Sequence, residues 1–226
     1  MPPKNLETFD HLAGVELRYC GGKLYGTRGT GPRRTLMVPA ARQKIEGAMC
    51  ELFRLHPWGP PDAIMTLGGY SKAREKNPKD PHGRGIALDI GGFWWKGKPF
   101  FTRPKWKTEV AHYLAIEAVL FRSFHVTVGA HGRPDHEDHF HVDTMGRKGA
   151  VEGYTKSWPW QVRFVQAALT HVFGIDCGKI DGLHGAKTGA ALDWLAANTM
   201  NLAMPGEDWQ AFCFAVAEEG FEGLRI

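Results

Sequence analysis

Histidine crowding restricts this chain's fold more than any other feature of its sequence. Of the eleven histidines, five fall between His125 and His141, and three belong to the run DHEDHFHVD at 135–143. Packing in an apolar core explains such crowding poorly, because every buried imidazole needs a hydrogen-bond partner, whereas imidazole and carboxylate groups together suit a divalent transition metal. We therefore predict a metal site, with the upstream run PHGRGIALD at 81–89 as a second source of ligands.

The upstream run can supply two ligands only if the chain bends. His82 and Asp89 are seven positions apart, so on one straight strand they would point to opposite faces of the sheet. Gly83 and Gly85 give the backbone the freedom to turn. The apolar residues 86–90 then predict a strand, which would carry Asp89 on a rigid element.

The downstream run has two histidines that would share one face of a strand. His139 and His141 are two positions apart, with alpha carbons about 6.6 Å apart, so one can bind the metal while the other stands beside an open coordination position. A catalytic zinc site has three protein ligands and a water. We predict His82, Asp89 and His141 as the ligands of Zn2+, and either His139 or Asp138 as the base that takes a proton from that water.

Helical and strand-like patterns are mixed along the first 155 residues. Helices are predicted over about 41–56 and 108–124, strands over about 63–67, 86–90, 126–128 and 139–142, and a hairpin from Phe93 through Lys96-Gly97-Lys98. The patterns show no regular β-α-β alternation. This favours an α+β domain with a largely antiparallel sheet.

A second domain is predicted after residue 155. Residues 146–154 are rich in glycine and charge, as expected for a linker, and three helical patterns follow. These helices are predicted over about 158–172 and 186–198, and after a start signal at 205–208. The predicted organisation is an antiparallel-sheet α+β domain at 1–155, which carries the predicted zinc site, followed by a small three-helix domain at 156–226.

Charge differs between the two predicted domains. Residues 157–226 contain four Lys/Arg against eight Asp/Glu, whereas residues 1–156 contain 24 Lys/Arg against 16 Asp/Glu. A basic amino-terminal part is typical of proteins that meet an anionic polymer or surface, such as nucleic acid, an anionic membrane or a bacterial cell wall. A surface charged only for solubility is the simpler alternative.

The two runs also resemble a known group of enzymes. The zinc peptidases that combine H-x6-D with a later H-x-H, among them D-Ala-D-Ala carboxypeptidases, lysostaphin-type enzymes and murein endopeptidases, have the same order and spacing as 82–89 and 139–141. The sequences GGYS at 68–71 and GIALDI at 85–90 look like the extensin-like and peptidase M15 branch. The resemblance, which covers about residues 60–145, implies the same three metal ligands and hydrolysis of an amide bond in peptidoglycan.

Within that group, the residues that would act as base and bind substrate differ between branches. The carboxypeptidase branch has a glutamate three residues before its last ligand, which corresponds to Asp138, whereas the H-x-H branches use the first histidine of that motif, here His139. Many relatives have a serine where this chain has Asp80. Arg74 resembles a substrate-binding arginine of the relatives, and Arg84 also lies near the first ligand. A guanidinium at either position can bind a substrate carboxylate or an oxyanion.

Part of the carboxy-terminal region resembles the three-helix peptidoglycan-binding domain. The segments VQAAL at 165–169, GKIDGLHGAKT at 178–188 and AL at 191–192 follow that family's pattern, with Ala186 in place of the usual proline. The resemblance implies that residues 156–226 contact the glycan of the wall.

The main hypothesis from sequence is a zinc-dependent peptidoglycan peptidase of the phage endolysin type. The first ten residues lack the apolar core of a signal peptide, so we expect synthesis in the host cytoplasm and action on the cell wall after release. The expected partner is peptidoglycan, with no nucleic acid, no membrane insertion and a monomeric state. The alternatives are a non-catalytic wall-binding protein, a bacterial D,D-carboxypeptidase, and a nucleic-acid-binding protein, which only the basic region supports.

Overall fold

A computed structural model describes residues 3, 5–95, 97–124, 126–145, 153–199, 205–206 and 208–225 of the chain. The strands are β1 (Glu7–Phe9), β2 (His11–Leu12), β3 (Val15–Tyr19), β4 (Thr30–Pro32), β5 (Thr35–Met37), β6 (Ala63–Gly68), β7 (Ala87–Trp95), β8 (Lys98–Phe101), β9 (Val126–Val128) and β10 (Phe140–Asp143). The α-helices are α1 (Pro39–Leu55), α2 (Thr102–Thr108), α3 (Val110–Ser123), α4 (Pro159–His171), α5 (Ala186–Asn198) and α6 (Trp209–Glu222). The described residues include no helix that is long and apolar enough to cross a membrane.

The larger sheet has eight strands and is mostly antiparallel, as the α+β prediction requires. Its order is β2-β3-β6-β7-β10-β9, with β4 beside β3 and β8 beside β7, while β1 and β5 form a separate pair. Only the pair of β3 with β6 is parallel among the pairings of the described strands. Because β7 and β10 are neighbours, the two histidine-containing runs of the sequence come to lie side by side.

Most of the predicted elements are confirmed, with ends shifted by a few residues. The helices predicted over 41–56 and 108–124 are α1 and α3, and the predicted strands are β6, β7, β9 and β10. The predicted hairpin is β7 with β8, in which Trp95 lies opposite Lys98; Lys96 lies outside the described residues. The sequence patterns do not predict β1 to β5, which have two to five residues each.

Helix α3 is the buried element against which much of the fold packs. Every residue from His112 to Phe121 is buried, and the helix contacts α1, α2, α4, α6 and β9. A helix that is covered on all sides needs apolar residues around its whole circumference, so its sequence shows only a weak amphipathic pattern. Its position behind β9 and β10 gives the sheet a rigid support.

The three carboxy-terminal helices predicted from sequence are confirmed as α4, α5 and α6. Asp208, in the start signal predicted at 205–208, caps α6 by accepting a hydrogen bond from the Ala211 backbone N–H at 2.9 Å. Apolar side chains of α4 and α6 belong to the same hydrophobic core as α3. The division into domains near residue 155 stays a prediction, and the linker residues 146–152 lie outside the described residues.

Helix α6 approaches α3 closely enough to require glycine at position 220. A Cβ there would lie 2.7 Å from the backbone oxygen of Ala111 and 2.9 Å from the Cβ of Ala115. We expect Gly220→Ala to lower the free energy of unfolding by about 1–3 kcal/mol, because overpacking pushes the helices apart. Gly189→Ala in α5, where nothing lies within 4 Å, should instead raise it by up to about 1 kcal/mol through helix propensity. Denaturant titrations measure both, and stabilisation by Gly220→Ala would contradict this packing.

Glu117 is a carboxyl group buried within α3. It is 1% exposed, and its Oε2 has no hydrogen-bond partner among the described residues. Burial raises its pKa to about 8, although a hydrogen bond from the Gly129 N–H opposes this shift. The unfolded chain, with an ordinary pKa of 4.5, releases this proton at lower pH. The contribution of Glu117 to stability therefore falls as the pH rises from about 4.5 to about 8.

We expect Glu117→Gln to flatten this pH dependence. At about pH 8 the variant should be more stable than the parent protein by about 1–3 kcal/mol, because a neutral amide replaces a buried carboxyl that is partly ionised. At about pH 5 the two proteins should differ much less. Denaturant titrations at both pH values measure the difference, with Glu218→Gln at an exposed position of α6 as the control. Equal pH slopes for Glu117→Gln and the parent would rule out a raised pKa at Glu117.

Candidate metal centre

The pairing of β7 with β10 brings two predicted ligands together. Asp89 lies directly opposite His141, and the Asp89 Oδ1 is 2.9 Å from the His141 Nδ1. Side chains opposite each other in an antiparallel pair share one face of the sheet and come into contact. The neighbouring pair, Ile90 and Phe140, faces the other way and is fully buried. The apolar layer therefore determines which face carries the ligands.

His82 reaches the same point from a turn and not from a strand. Gly85 in this turn has a φ of +67°, a conformation that favours glycine, and its N–H donates to the His82 carbonyl. At Gly83 a Cβ would lie 2.4 Å from the Arg74 backbone oxygen, so the missing side chain lets the turn pack against the preceding segment. The bend predicted between His82 and Asp89 is confirmed.

Three donor atoms converge at distances that fit zinc. The His82 Nε2 lies 3.2 Å from the Asp89 Oδ1 and 3.2 Å from the His141 Nδ1, and the last two atoms are 2.9 Å apart. Ligand atoms about 2.0–2.1 Å from a tetrahedral ion stand about 3.3 Å from one another. In the part of the chain that the structure describes, this is the one group of three such side chains with donor atoms within 4.8 Å of one another. The predicted ligands thus form a site that could hold a metal ion.

Hydrogen bonds behind the two imidazoles fix which nitrogen of each faces the site. The His82 Nδ1 donates to the Gly69 carbonyl at 2.7 Å, and the His141 Nε2 donates to the Asp143 carboxylate at 3.1 Å. The opposite nitrogens are therefore the ones that can offer lone pairs to a metal. Gly69 suits its position because a Cβ there would lie 2.7 Å from the Thr35 Oγ1.

The negative charge of Asp89 and the positive charge of His141 stabilise each other. Burial alone disfavours an ionised Asp89, yet the hydrogen bond from His141 and the adjacent His82 imidazole outweigh this effect and hold the pKa of Asp89 well below its usual range. Burial also disfavours a charged His141, but hydrogen bonds to Asp143 and Asp89 outweigh it and raise the pKa of His141 to about 9. A metal ion that binds to the His141 Nδ1 at neutral pH must therefore displace a proton.

Asp138 and His139 form a hydrogen-bonded pair beside the ligands. The His139 Nδ1 donates to the Asp138 carboxylate at 2.8 Å, and the His139 Nε2 lies 3.7 Å from the Asp89 Oδ1. Asp138 also lies 3.9 Å from the Arg103 Nη2. His136 contributes a further imidazole, with its ring centroid 4.6 Å from that of His139. Of the two residues predicted as alternative bases, His139 is therefore the one beside the ligands, and Asp138 contacts it through its other ring nitrogen.

The ligands line a cleft of about 570 Å³, which we call the metal cleft. It is also lined by Arg74, Arg133, Asp135, His136, His139, Asp143 and Trp160. Arg74 also lines an adjoining cleft of about 330 Å³, which we call the arginine cleft because Arg33 and Arg34 line it too. Asp80 lies 3.8 Å from Arg74 and helps to hold it there. Arg84 is exposed and is part of neither cleft. Both arginine side chains are exposed, but the structure brings only Arg74 to the clefts beside the ligands.

Two further residues of the site were not predicted from the sequence. Asp143 follows His141 by two positions, so strand alternation places it on the same face as His139 and His141. This alternation could have predicted Asp143 as a residue of the site. It is 3% exposed and also accepts a hydrogen bond from the Met145 N–H at 2.6 Å. His136 lies in a short 3-10 turn before β10, where no strand periodicity connects it to the ligands.

Comparisons with protein-family models, with curated proteins and with solved structures found no match to this chain. A function therefore has to be argued from the side chains and geometry of the site itself.

Asp143 is expected to control metal affinity although it is not a predicted ligand. Asp143→Asn removes the carboxylate that orients the His141 ring, so we expect the affinity for Zn2+ to fall about 10–100-fold. Competition with a chromophoric chelator measures the affinity. Asp135→Asn is the matched control, because Asp135 bonds to His136, which is not a predicted ligand. Equal losses in the two variants would contradict a specific role for Asp143.

Proposed function

We propose that this chain is a zinc-dependent peptidoglycan peptidase of the endolysin type, which hydrolyses an amide bond in the stem peptide or the cross-link of the wall. The observation that carries the proposal is the convergence of His82, Asp89 and His141 beside the Asp138–His139 pair. Three protein ligands leave a coordination position open, as catalytic zinc sites require. A zinc ion held by them would activate water and polarise the carbonyl of the scissile amide.

His139 is the group that we assign to proton transfer. Its Nδ1 is engaged by Asp138, so its Nε2 remains to accept a proton on the side of the ligands. The negative Asp138 orients the ring and favours the imidazolium that forms after the transfer. Asp138 itself interacts with His139 and Arg103, which makes an orienting role more consistent with its contacts than the role of base.

The arginine cleft suits a substrate that carries carboxylates. Arg33, Arg34 and Arg74 line it together with His82 and Asp89, and guanidinium groups bind carboxylates through paired hydrogen bonds. A wall peptide laid across the ligands would bring one of its carboxylates to these arginines. The same feature favours the second candidate, a D,D-carboxypeptidase, because its substrate ends in a carboxylate next to the scissile bond.

The carboxy-terminal helices are proposed to hold the protein on the wall. Trp194 in α5 is 55% exposed and lines a groove of about 480 Å³ together with Ile175, Asp176 and Lys187. An exposed indole beside charged groups offers a sugar ring both a flat apolar surface and hydrogen-bond partners. A non-catalytic wall-binding protein would need this groove and not the metal centre, so the two functions can be tested separately.

Digestion of purified sacculi tests the proposal. Mass spectrometry of the soluble products should detect released peptides with zinc and none after chelation, and the new termini identify the bond that is cut. His139→Ala should lower the rate about 10²–10⁴-fold while zinc stays bound, because it removes the base and no ligand. His141→Ala should lose zinc and activity together but still sediment with the sacculi.

Two results would change the assignment, and one control variant tests for non-specific effects. Lys79→Ala, at an exposed position outside both clefts, is the control and should digest sacculi at the parental rate. Products that have lost only a terminal residue, with all cross-links intact, would favour the carboxypeptidase. Sacculi that stay intact with and without zinc, while the protein sediments with them, would replace the peptidase by a wall-binding protein.

Arg74 and Arg84 are expected to differ in their effect on substrate binding. With a soluble wall peptide, Arg74→Ala should raise KM about tenfold or more, because a hydrogen bond to a charged group contributes about 1.5–3 kcal/mol. Arg84→Ala should change KM much less, since its side chain lies outside both clefts. Steady-state kinetics of the two variants measure this, and equal effects would contradict the assignment to Arg74.

A further inference from the structure

A second cavity, separate from the metal cleft, lies between the end of β8, the start of α2 and the loop around Tyr25. Its volume is about 750 Å³, which is larger than the metal cleft and within the range of small-molecule sites. Its apolar walls are formed by Tyr25, Trp58, Pro99, Phe100, Phe101 and Pro104. We call it the aromatic cavity.

The polar groups of the aromatic cavity are mainly cations. Lys98, Arg103 and Lys105 line it, against one carboxylate, that of Glu109. Lys105 pairs with Glu109, so Lys98 and Arg103 are the cations that remain for a ligand. The Lys98 Nζ lies 4.8 Å from the centre of the Trp58 ring, so a positive charge stands directly at an aromatic wall.

His112 lines the aromatic cavity and is held in place by His56 behind it. The Trp58 backbone N–H donates to the His56 Nδ1 at 3.2 Å, so His56 carries its proton on Nε2 and donates to the His112 Nε2 at 3.0 Å. The His112 Nδ1 then faces the Glu109 carboxylate at 3.4 Å. Burial is the main reason why the pKa of each histidine is lowered to about 3. At neutral pH these imidazoles therefore add no positive charge and no unpaired donor to the wall.

Arg103 connects the aromatic cavity with the Asp138–His139 pair. Its backbone N–H donates to the Tyr25 hydroxyl at 2.8 Å, and its guanidinium carbon lies 5.8 Å from the centre of the Tyr25 ring. The Arg103 Nη2 is also 3.9 Å from the Asp138 Oδ2. The side chain is 57% exposed and loosely paired, so it can turn from Asp138 toward an anion in the cavity without leaving a buried charge unpaired.

We propose that the aromatic cavity binds a small anionic ligand with a planar apolar body, whose ring lies against the partly exposed Trp58 and Tyr25 while its negative group meets Lys98 and Arg103. Arg103 is shared between this ligand and Asp138. The charge of the lining selects the anion, and the flat walls select a ring over a flexible chain. This site goes beyond the proposed peptidase activity and does not depend on it.

Fluorescence titration with anilinonaphthalene sulfonate tests the proposal on the full chain. We expect saturable one-to-one binding, and much weaker binding of phenylnaphthylamine, which has the same rings and no charge. Lys98→Glu and Arg103→Gln should each raise the dissociation constant about tenfold, because each removes a charged partner. Asp138→Asn should lower it about two- to fivefold, because Arg103 is then free for the probe.

Controls at other sites decide whether the probe reports on the aromatic cavity. Lys179→Glu makes the same charge change at an exposed position far along the chain and should leave the affinity unchanged. Equal affinity for the charged and uncharged probes would overturn the selection of an anion. Binding that is lost in Trp194→Ala but kept in Lys98→Glu would assign the probe to the groove of α5 and overturn the proposal. An unchanged affinity in Asp138→Asn would overturn the sharing of Arg103.

Discussion

The register between β7 and β10 is the constraint on which the site depends. It sets Asp89 opposite His141 on one face and Ile90 opposite Phe140 on the other, where both are fully buried. A slip by one residue would turn the ligands into the core and the apolar pair into the cleft. The hydrophobic layer beneath the sheet therefore fixes the spacing of the ligands, since a register that separates them also costs the burial of two large side chains.

Around the paired strands β7 and β10, one hydrogen bond orients each of the three imidazoles of the site. The Gly69 carbonyl turns the His82 Nε2 inward, Asp143 does the same for the His141 Nδ1, and Asp138 turns the His139 Nε2 toward the ligands. These partners act without contacting a metal or a substrate. Each one fixes the tautomer and the orientation of an imidazole ring, and a ring that rotates freely would have neither fixed. The site is thus a set of ligands together with the neighbours that hold them.

Site residues could be predicted from the sequence where their positions depend on neighbours in the chain, and not where they depend on contacts between distant segments. His82, Asp89 and His141 were identifiable because their spacing reflects strand alternation and a local bend, both of which involve neighbours in the chain. Arg74 and Arg84 both lie near the first ligand in sequence, and the tertiary structure places only Arg74 in the clefts. His136 lies in an irregular turn, and irregular backbone leaves no periodic signal.

By itself, the sequence determined the mixed α+β class, the positions of most helices and of half of the described strands, and the three residues that form the candidate metal centre, because these depend on local periodicity and on side-chain chemistry. Tertiary structure decided the strand order, the single core shared by α3, α4 and α6, the orientation of His139, and the existence of the aromatic cavity. Each of the latter joins segments that are far apart in the chain, as Arg103 and Tyr25 are. Such contacts are selected by the packing of the whole fold, which no short window of sequence contains.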